Sequence, residues 1–235
     1  MKVVFFIASV FLLFSLSGCG SSRKSALNTA ANFNYLAIGD SYTIGESVCT
    51  KCSFPEQLKD SLSLYSSQNI DLKIIAKTGW TTSDLQRAIA NEDLKNNFDL
   101  VTLLIGVNNQ YQNFPFTVYQ NQFVQLVDKA VELAKGQTSK VIVLSIPDYT
   151  FTPFGSNSSK AKAISEAINR YNTFAKKIAN QKNVSFITIT DLTRLGLEKP
   201  NLIARDGLHL SEKAYSQFVS RLIPKAIPQL KKIAL

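Results

Sequence analysis

A serine stands two positions past a glycine in Gly39-Asp40-Ser41, just after the short apolar run 35–38. An apolar run stopped by glycine reads as a buried strand that delivers a side chain to the sheet edge, where a tight turn leads toward a helix. A serine so placed can be a nucleophile if a general base and an oxyanion-binding site are brought to it. The chain holds a single histidine, His209, and no other side chain is an obvious base. It sits in Asp206-Gly207-Leu208-His209. A carboxylate and an imidazole three residues apart in a turn can face each other, fixing the tautomer and leaving the second ring nitrogen for a serine hydroxyl. Two more residues could serve a developing oxyanion: Gly79 through an N–H unhindered by a Cβ, and Asn108 through its side-chain amide. Each has an ordinary alternative. A lone histidine is often structural, and glycine or asparagine after a strand often just turns the chain. What lifts them is position, since Ser41, Gly79 and Asn108 each fall just past a different apolar run.

The elements that must position these residues alternate along the chain. Strands are expected at 35–38, 71–76, 100–105, 141–146 and 184–189. Helices are expected from Ser53 to about 65, from about 83, over 118–135, over 160–181, and from Ser211 onward. Ser53 with Glu56 has the pattern of a capping box, and Leu210 with Tyr215 that of a hydrophobic staple around the cap Ser211. Pro224 and Pro228 are expected to break or end the last helix. Five strands with intervening helices, no internal repeat and no second boundary predict a single α/β domain. Its sheet is doubly wound, flavodoxin-like and of about five parallel strands, with helices on both faces. In such a sheet ligands collect at the carboxyl ends of the strands, which is where the candidate residues fall.

The sequence resembles the SGNH (GDSL-type) hydrolase superfamily. Gly39-Asp40-Ser41 matches its first block, Gly79 the glycine of the second, Gly106-Val107-Asn108-Asn109 the third and Asp206-Gly207-Leu208-His209 the last. Four short blocks in the right order over residues 35–220 are specific where each alone is weak. The resemblance implies Ser41 as nucleophile, His209 as base and Asp206 as its partner. It also implies an oxyanion hole built from the Ser41 and Gly79 N–H groups and the Asn108 amide. The third block often ends in aspartate where this chain has Asn109, a residue expected to support the loop. The first block has Tyr42 where many members have leucine, a position expected to line the cleft. Esterases, thioesterases, lysophospholipases and carbohydrate deacetylases all occur in the superfamily.

Composition bounds the rest. At 235 residues, 45% hydrophobic and 18% charged, the chain suits one sizeable globular domain. Lys2, the apolar run 3–16 and Leu16-Ser17-Gly18-Cys19 read as an export signal too short to span a bilayer comfortably. Its end resembles a lipobox, with residues 1–18 removed and Cys19 lipidated. An ordinary cleaved signal and an uncleaved anchor are the alternatives. Residues 19–34 then form a tether, and 35–235 the hydrolase domain of a membrane-anchored protein of the bacterial cell envelope. Cys49 and Cys52 suit a loop disulfide in an oxidising compartment. A redox motif or a zinc site on them lacks the surrounding pattern. The net charge of +9 is spread along the chain, which gives nucleic-acid binding little support. No cofactor and no metal are expected, and the chain is taken as a monomer. The favoured activity is hydrolysis of small-acyl esters, glycan O-acetyl groups among them. A lysophospholipase or lipase is the near alternative, and a glycan- or lipid-binding lipoprotein without turnover a further one. Rings in the strand-end loops (Tyr42, Trp80, Tyr111, Phe114, Phe116, Tyr149, Phe151, Phe154) could hold an acyl chain, stack on a sugar, or simply pack on one another.

Overall fold

The computed structural model describes residues 32–230. The expected signal, the lipidation at Cys19 and most of the tether lie outside that range. Strands β1 (Phe33–Gly39), β2 (Ile70–Ala76), β3 (Leu100–Leu104), β4 (Val141–Leu144) and β5 (Ser185–Ile187) form one parallel sheet in the order 2-1-3-4-5, the flavodoxin-like order. The three interior strands, β1, β3 and β4, are buried along nearly their whole length, and the edge strands β2 and β5 are half-buried. Helices on both faces explain why β3 reads as an apolar run interrupted only by the buried Thr102, and not as an alternation.

Chain direction decides which face each helix takes. Parallel crossovers are right-handed, so α2 (Phe54–Ser63), which carries the chain from β1 outward to β2, lies on one face. The chain then reverses across the sheet, which puts α3 (Thr82–Ala90), α5 (Phe116–Leu133) and α7 (Ala161–Gln181) on the other. The last long helix, α9 (Glu212–Ala226), returns to pack on α2. The reversal falls between β1 and β3, opening a crevice at their carboxyl ends. Three short helices top that end of the sheet or lead away from it: α1 (Ser41–Ile44), α4 (Val107–Tyr111) and α6 (Pro153–Ser156). A fourth, α8 (Thr190–Thr193), follows β5.

Several boundaries differ from the sequence expectation, for identifiable reasons. β1 begins two residues early because Phe33, 1% exposed, pairs with Ile70. β4 stops at Leu144 and β5 covers only Ser185–Ile187, since pairing, not hydrophobicity, ends a strand. The capping box expected at Ser53 does not form. Ser53 Oγ instead donates to the Thr50 carbonyl at 3.2 Å, and Pro55 in the first turn sets the start of α2. A full capping box forms at Thr81 and Asp84. The α9 cap is as expected, with Ser211 Oγ accepting from the Ala214 N–H and Leu210 and Tyr215 both buried. Pro224 does not end that helix, which runs to Ala226. So near the end, proline forfeits a single intrahelical bond.

Candidate active site

Gly39 ends β1, and its lack of a side chain is enforced by packing. A Cβ there would lie 2.2 Å from Thr43 Oγ1 and 2.3 Å from the Leu104 carbonyl oxygen. This close approach of β1, α1 and β3 sets Ser41 at the first position of α1. Asp40 caps that helix, Oδ1 accepting from the Tyr42 N–H at 3.0 Å. Asp40 is fully buried and its Oδ2 has no partner among the described residues. Burial pushes its carboxyl up to about 7 against the opposing pull of the Tyr42 N–H. As the first helical residue, Ser41 has an N–H without an intrahelical acceptor.

The second strand end contributes Gly79 at φ +82°. A Cβ there would meet nothing within 4 Å, so glycine is required by the backbone conformation and not by crowding. Its N–H makes no hydrogen bond among the described residues, while its carbonyl accepts from Gln112 Nε2 at 2.9 Å and the Trp80 carbonyl accepts from Asn108 Nδ2 at 3.0 Å. Asn108 lies in the first turn of α4, not in a loop as the sequence suggested. The Trp80 bond uses one amide hydrogen of Asn108 and leaves the second for the cavity.

Asn109 gives the support expected of it. Fully buried, it accepts from the Thr82 N–H at 3.0 Å and donates from Nδ2 to Thr82 Oγ1 at 2.8 Å. Those two bonds tie the start of α3 to α4, and thereby the loop carrying Gly79 to the helix carrying Asn108. Replacing Asn109 by alanine strands a buried N–H and is expected to cost about 1–3 kcal/mol, read as a lowered urea midpoint.

Asp206 and His209 face each other as their spacing predicts. His209 Nδ1 lies 2.6 Å from Asp206 Oδ2, and Asp206 Oδ1 accepts from the N–H groups of Leu208 and His209, both at 2.9 Å. Partial burial works to raise the Asp206 pKa. Hydrogen bonds from Ser47, His209 and the two backbone amides outweigh it and hold the carboxyl below the ordinary carboxylate range. The Ser47 hydroxyl, 2.6 Å from Asp206 Oδ2, had no signal in the sequence: it belongs to no motif and is 159 residues away.

Ser41, Gly79, Asn108 and His209 line one cavity of about 280 Å³. Among the described residues Ser41 Oγ has no hydrogen-bond partner, His209 included. Catalytic contacts are often loose without substrate and tighten on binding. Tyr42 lines the cleft, its ring centroid 5.2 Å from that of His209. The loop rings divide. Tyr111, Tyr149 and Phe154 form a connected wall of the cavity, whereas Phe116 packs in the core on Tyr119 and Tyr171. Phe151 lies under the Arg194 guanidinium. An ion pair between the half-buried Arg194 and the buried Asp148 fixes the loop after β4 that presents Tyr149, and the Tyr149 hydroxyl donates to Gln110 at 2.9 Å. Cys49 and Cys52 are joined in a disulfide.

A serine at the end of β1, an acid–imidazole pair before the last helix, and donors past β2 and β3 thus meet at one cavity on a flavodoxin-like sheet. Residues 37–217 match the GDSL-like lipase/acylhydrolase family, to which the chain belongs. It is a serine hydrolase acting on ester bonds. No curated protein matches the sequence. Among solved structures it is similar to the lipase/acylhydrolase from Enterococcus faecalis, with TM-score 0.65, 17% identity and coverage of 86% of this chain and 100% of the other. It is also similar to an acetylxylan esterase from Geobacillus stearothermophilus (TM-score 0.63, 17% identity, 87% and 100% covered). A lipolytic G-D-S-L family protein from Veillonella parvula is comparable (TM-score 0.61, 17% identity, 82% and 97% covered). At these identities the likeness speaks for the fold.

Proposed function

We propose that the chain is a small-acyl esterase working through Ser41, His209 and Asp206, with O-acetylated glycans as its natural substrate class. Ser41 Oγ attacks the ester carbonyl while His209 takes its proton, and His209 then protonates the departing alcohol. Water repeats the sequence on the acyl-enzyme, releasing the acid and free Ser41. Asp206 holds the imidazole in the tautomer that presents Nε2 to the serine and stabilises its charged form. The Ser41 and Gly79 N–H groups and the spare Asn108 amide hydrogen stabilise the oxyanion. The observation that carries the mechanism is that Ser41, the Asp206-bonded His209 and the three donors border one cavity.

Two features support the substrate class. At about 280 Å³, the cavity lies just below the ~300–1,000 Å³ of pockets that enclose drug-sized ligands, which suits a short acyl group. At its mouth Tyr111 and Phe154 are each 51% exposed and offer flat apolar faces on which a sugar ring can lie. The acetylxylan esterase of like fold is in keeping with this choice. The export signal and lipobox support lipid attachment at Cys19, which would hold a monomeric enzyme at the envelope, where such glycans are exposed.

A panel of nitrophenyl esters of graded acyl length tests the substrate class. Turnover per unit KM is expected to be highest for acetyl and to fall beyond butyryl. A rise toward decanoyl would overturn the small-acyl assignment and favour a lysophospholipase.

A further inference from the structure

The loop 45–52 between α1 and α2 touches both halves of the site without lining its cavity. Glu46 accepts a short hydrogen bond from the Thr78 hydroxyl, next to Gly79. Ser47 donates to Asp206 Oδ2 at 2.6 Å, on the same oxygen that faces His209 Nδ1. The loop is closed by the Cys49–Cys52 disulfide. Gln57 Nε2 then ties it to α9, donating to the Cys52 carbonyl at 2.7 Å and the Glu212 carbonyl at 3.1 Å.

From this arrangement we infer that Ser47 is a positioning residue for hydrolysis, a second hydroxyl donor that fixes the Asp206 carboxylate and, through it, the His209 ring. The inference rests on the assignment of Asp206 and His209 made above. A carboxylate has about four acceptor sites. On Asp206 two are taken by backbone amides on Oδ1, one by the imidazole and one by Ser47. Among the described residues only the Ser47 bond reaches that carboxylate from outside the 206–209 turn; the Phe154 N–H holds the turn's backbone at the Gly207 carbonyl, 2.9 Å away, but does not touch the acid. The Asp206 side chain is 32% exposed, and without Ser47 water could take the vacated site but could not orient it.

The backbone supplies a second, independent clue. Ser47 has φ +66°, a conformation that costs a side-chain-bearing residue energy and glycine none. Its side chain is exposed and gains nothing from core packing. A serine kept in a strained, exposed position, with its hydroxyl directed at the acid, suits a function of the hydroxyl better than a function of the loop.

Two substitutions separate those roles. Ser47→Gly relieves the backbone and removes the hydroxyl. It is expected to melt no lower than the parent while kcat on nitrophenyl acetate falls about tenfold, equivalent to ~1.4 kcal/mol, at unchanged KM. Ser47→Thr keeps the hydroxyl but places a β-branched residue at positive φ. It is expected to melt lower while retaining most of kcat. Activity that follows melting temperature in both variants, or full kcat in Ser47→Gly, overturns the inference. Ser41→Ala, run beside them, keeps the two assignments apart. If it is inactive while Ser47→Gly is fully active, the triad stands and the positioning role falls. If it is active, the triad itself falls.

Discussion

Ser41→Ala is expected to lower turnover of nitrophenyl acetate by about 10⁶, the scale on which a serine hydrolase loses its nucleophile. His209→Ala should do nearly the same, because the two act as a unit and the double variant loses little more. Asn108→Ala should cost about 10²–10³, the worth of one oxyanion donor. The graded pattern carries the information. Loss of Ser41 ends covalent chemistry, whereas loss of Asn108 leaves a slow enzyme with an intact relay. The Ser41 hydroxyl has no hydrogen-bond partner among the described residues, so its removal should leave the melting temperature within about a degree or two, the usual range for a change that breaks no contact. A fluorophosphonate probe should label the parent at Ser41 and fail to label either Ser41→Ala or His209→Ala. Undiminished turnover in Ser41→Ala would remove it as nucleophile, and labelling at another serine would identify its replacement.

The site was legible where chemistry and backbone demand the same residue. Gly39, Gly79 and the Asp206–His209 pair each leave a local mark, a turn or a short spacing, that a sequence displays directly. Fold order was legible because alternating strands and helices with right-handed crossovers permit few arrangements. What the sequence hid depends on distance along the chain. Ser47 reaches an acid 159 residues away, Asp148 is recognisable only through Arg194, and Gln112 is an unremarkable polar residue until its amide meets the Gly79 carbonyl. The capping signal at Ser53 failed for a related reason. Local pattern proposed a cap, but the disulfide-closed turn before it drew the hydroxyl to Thr50. The aromatic loops divided between wall and core because hydrophobic residues at strand ends serve both: Tyr111 and Phe154 ride on α4 and α6 at the cavity, whereas Phe116 starts α5 and packs against Tyr171 of α7.

Asp40→Asn is expected to make the protein more stable at pH 8 while changing little at pH 4. In the folded state burial holds the Asp40 carboxyl protonated to about 7, whereas in the unfolded chain it ionises above about 3.9. Between those values the folded state binds more protons than the unfolded one, so stability falls as pH rises through this window and the deficit is complete above it. A rise of about three units corresponds to an upper bound on the order of 4 kcal/mol. Asparagine retains the Oδ1 that caps α1 through the Tyr42 N–H and carries no charge to bury. Asp206 acts in the opposite sense. Its folded pKa is lowered, so its contribution is present above the unfolded value and is lost as pH falls. The parent should therefore be most stable near pH 4–5, and Asp40→Asn should keep that stability up to pH 8. Urea midpoints of both proteins at pH 4.5 and 8 decide the matter, since a difference independent of pH would show that Asp40 is not the buried acid responsible. A variant that gains stability at pH 8 but loses turnover would also show that the charge beside Ser41 is kept for catalysis at the expense of the fold.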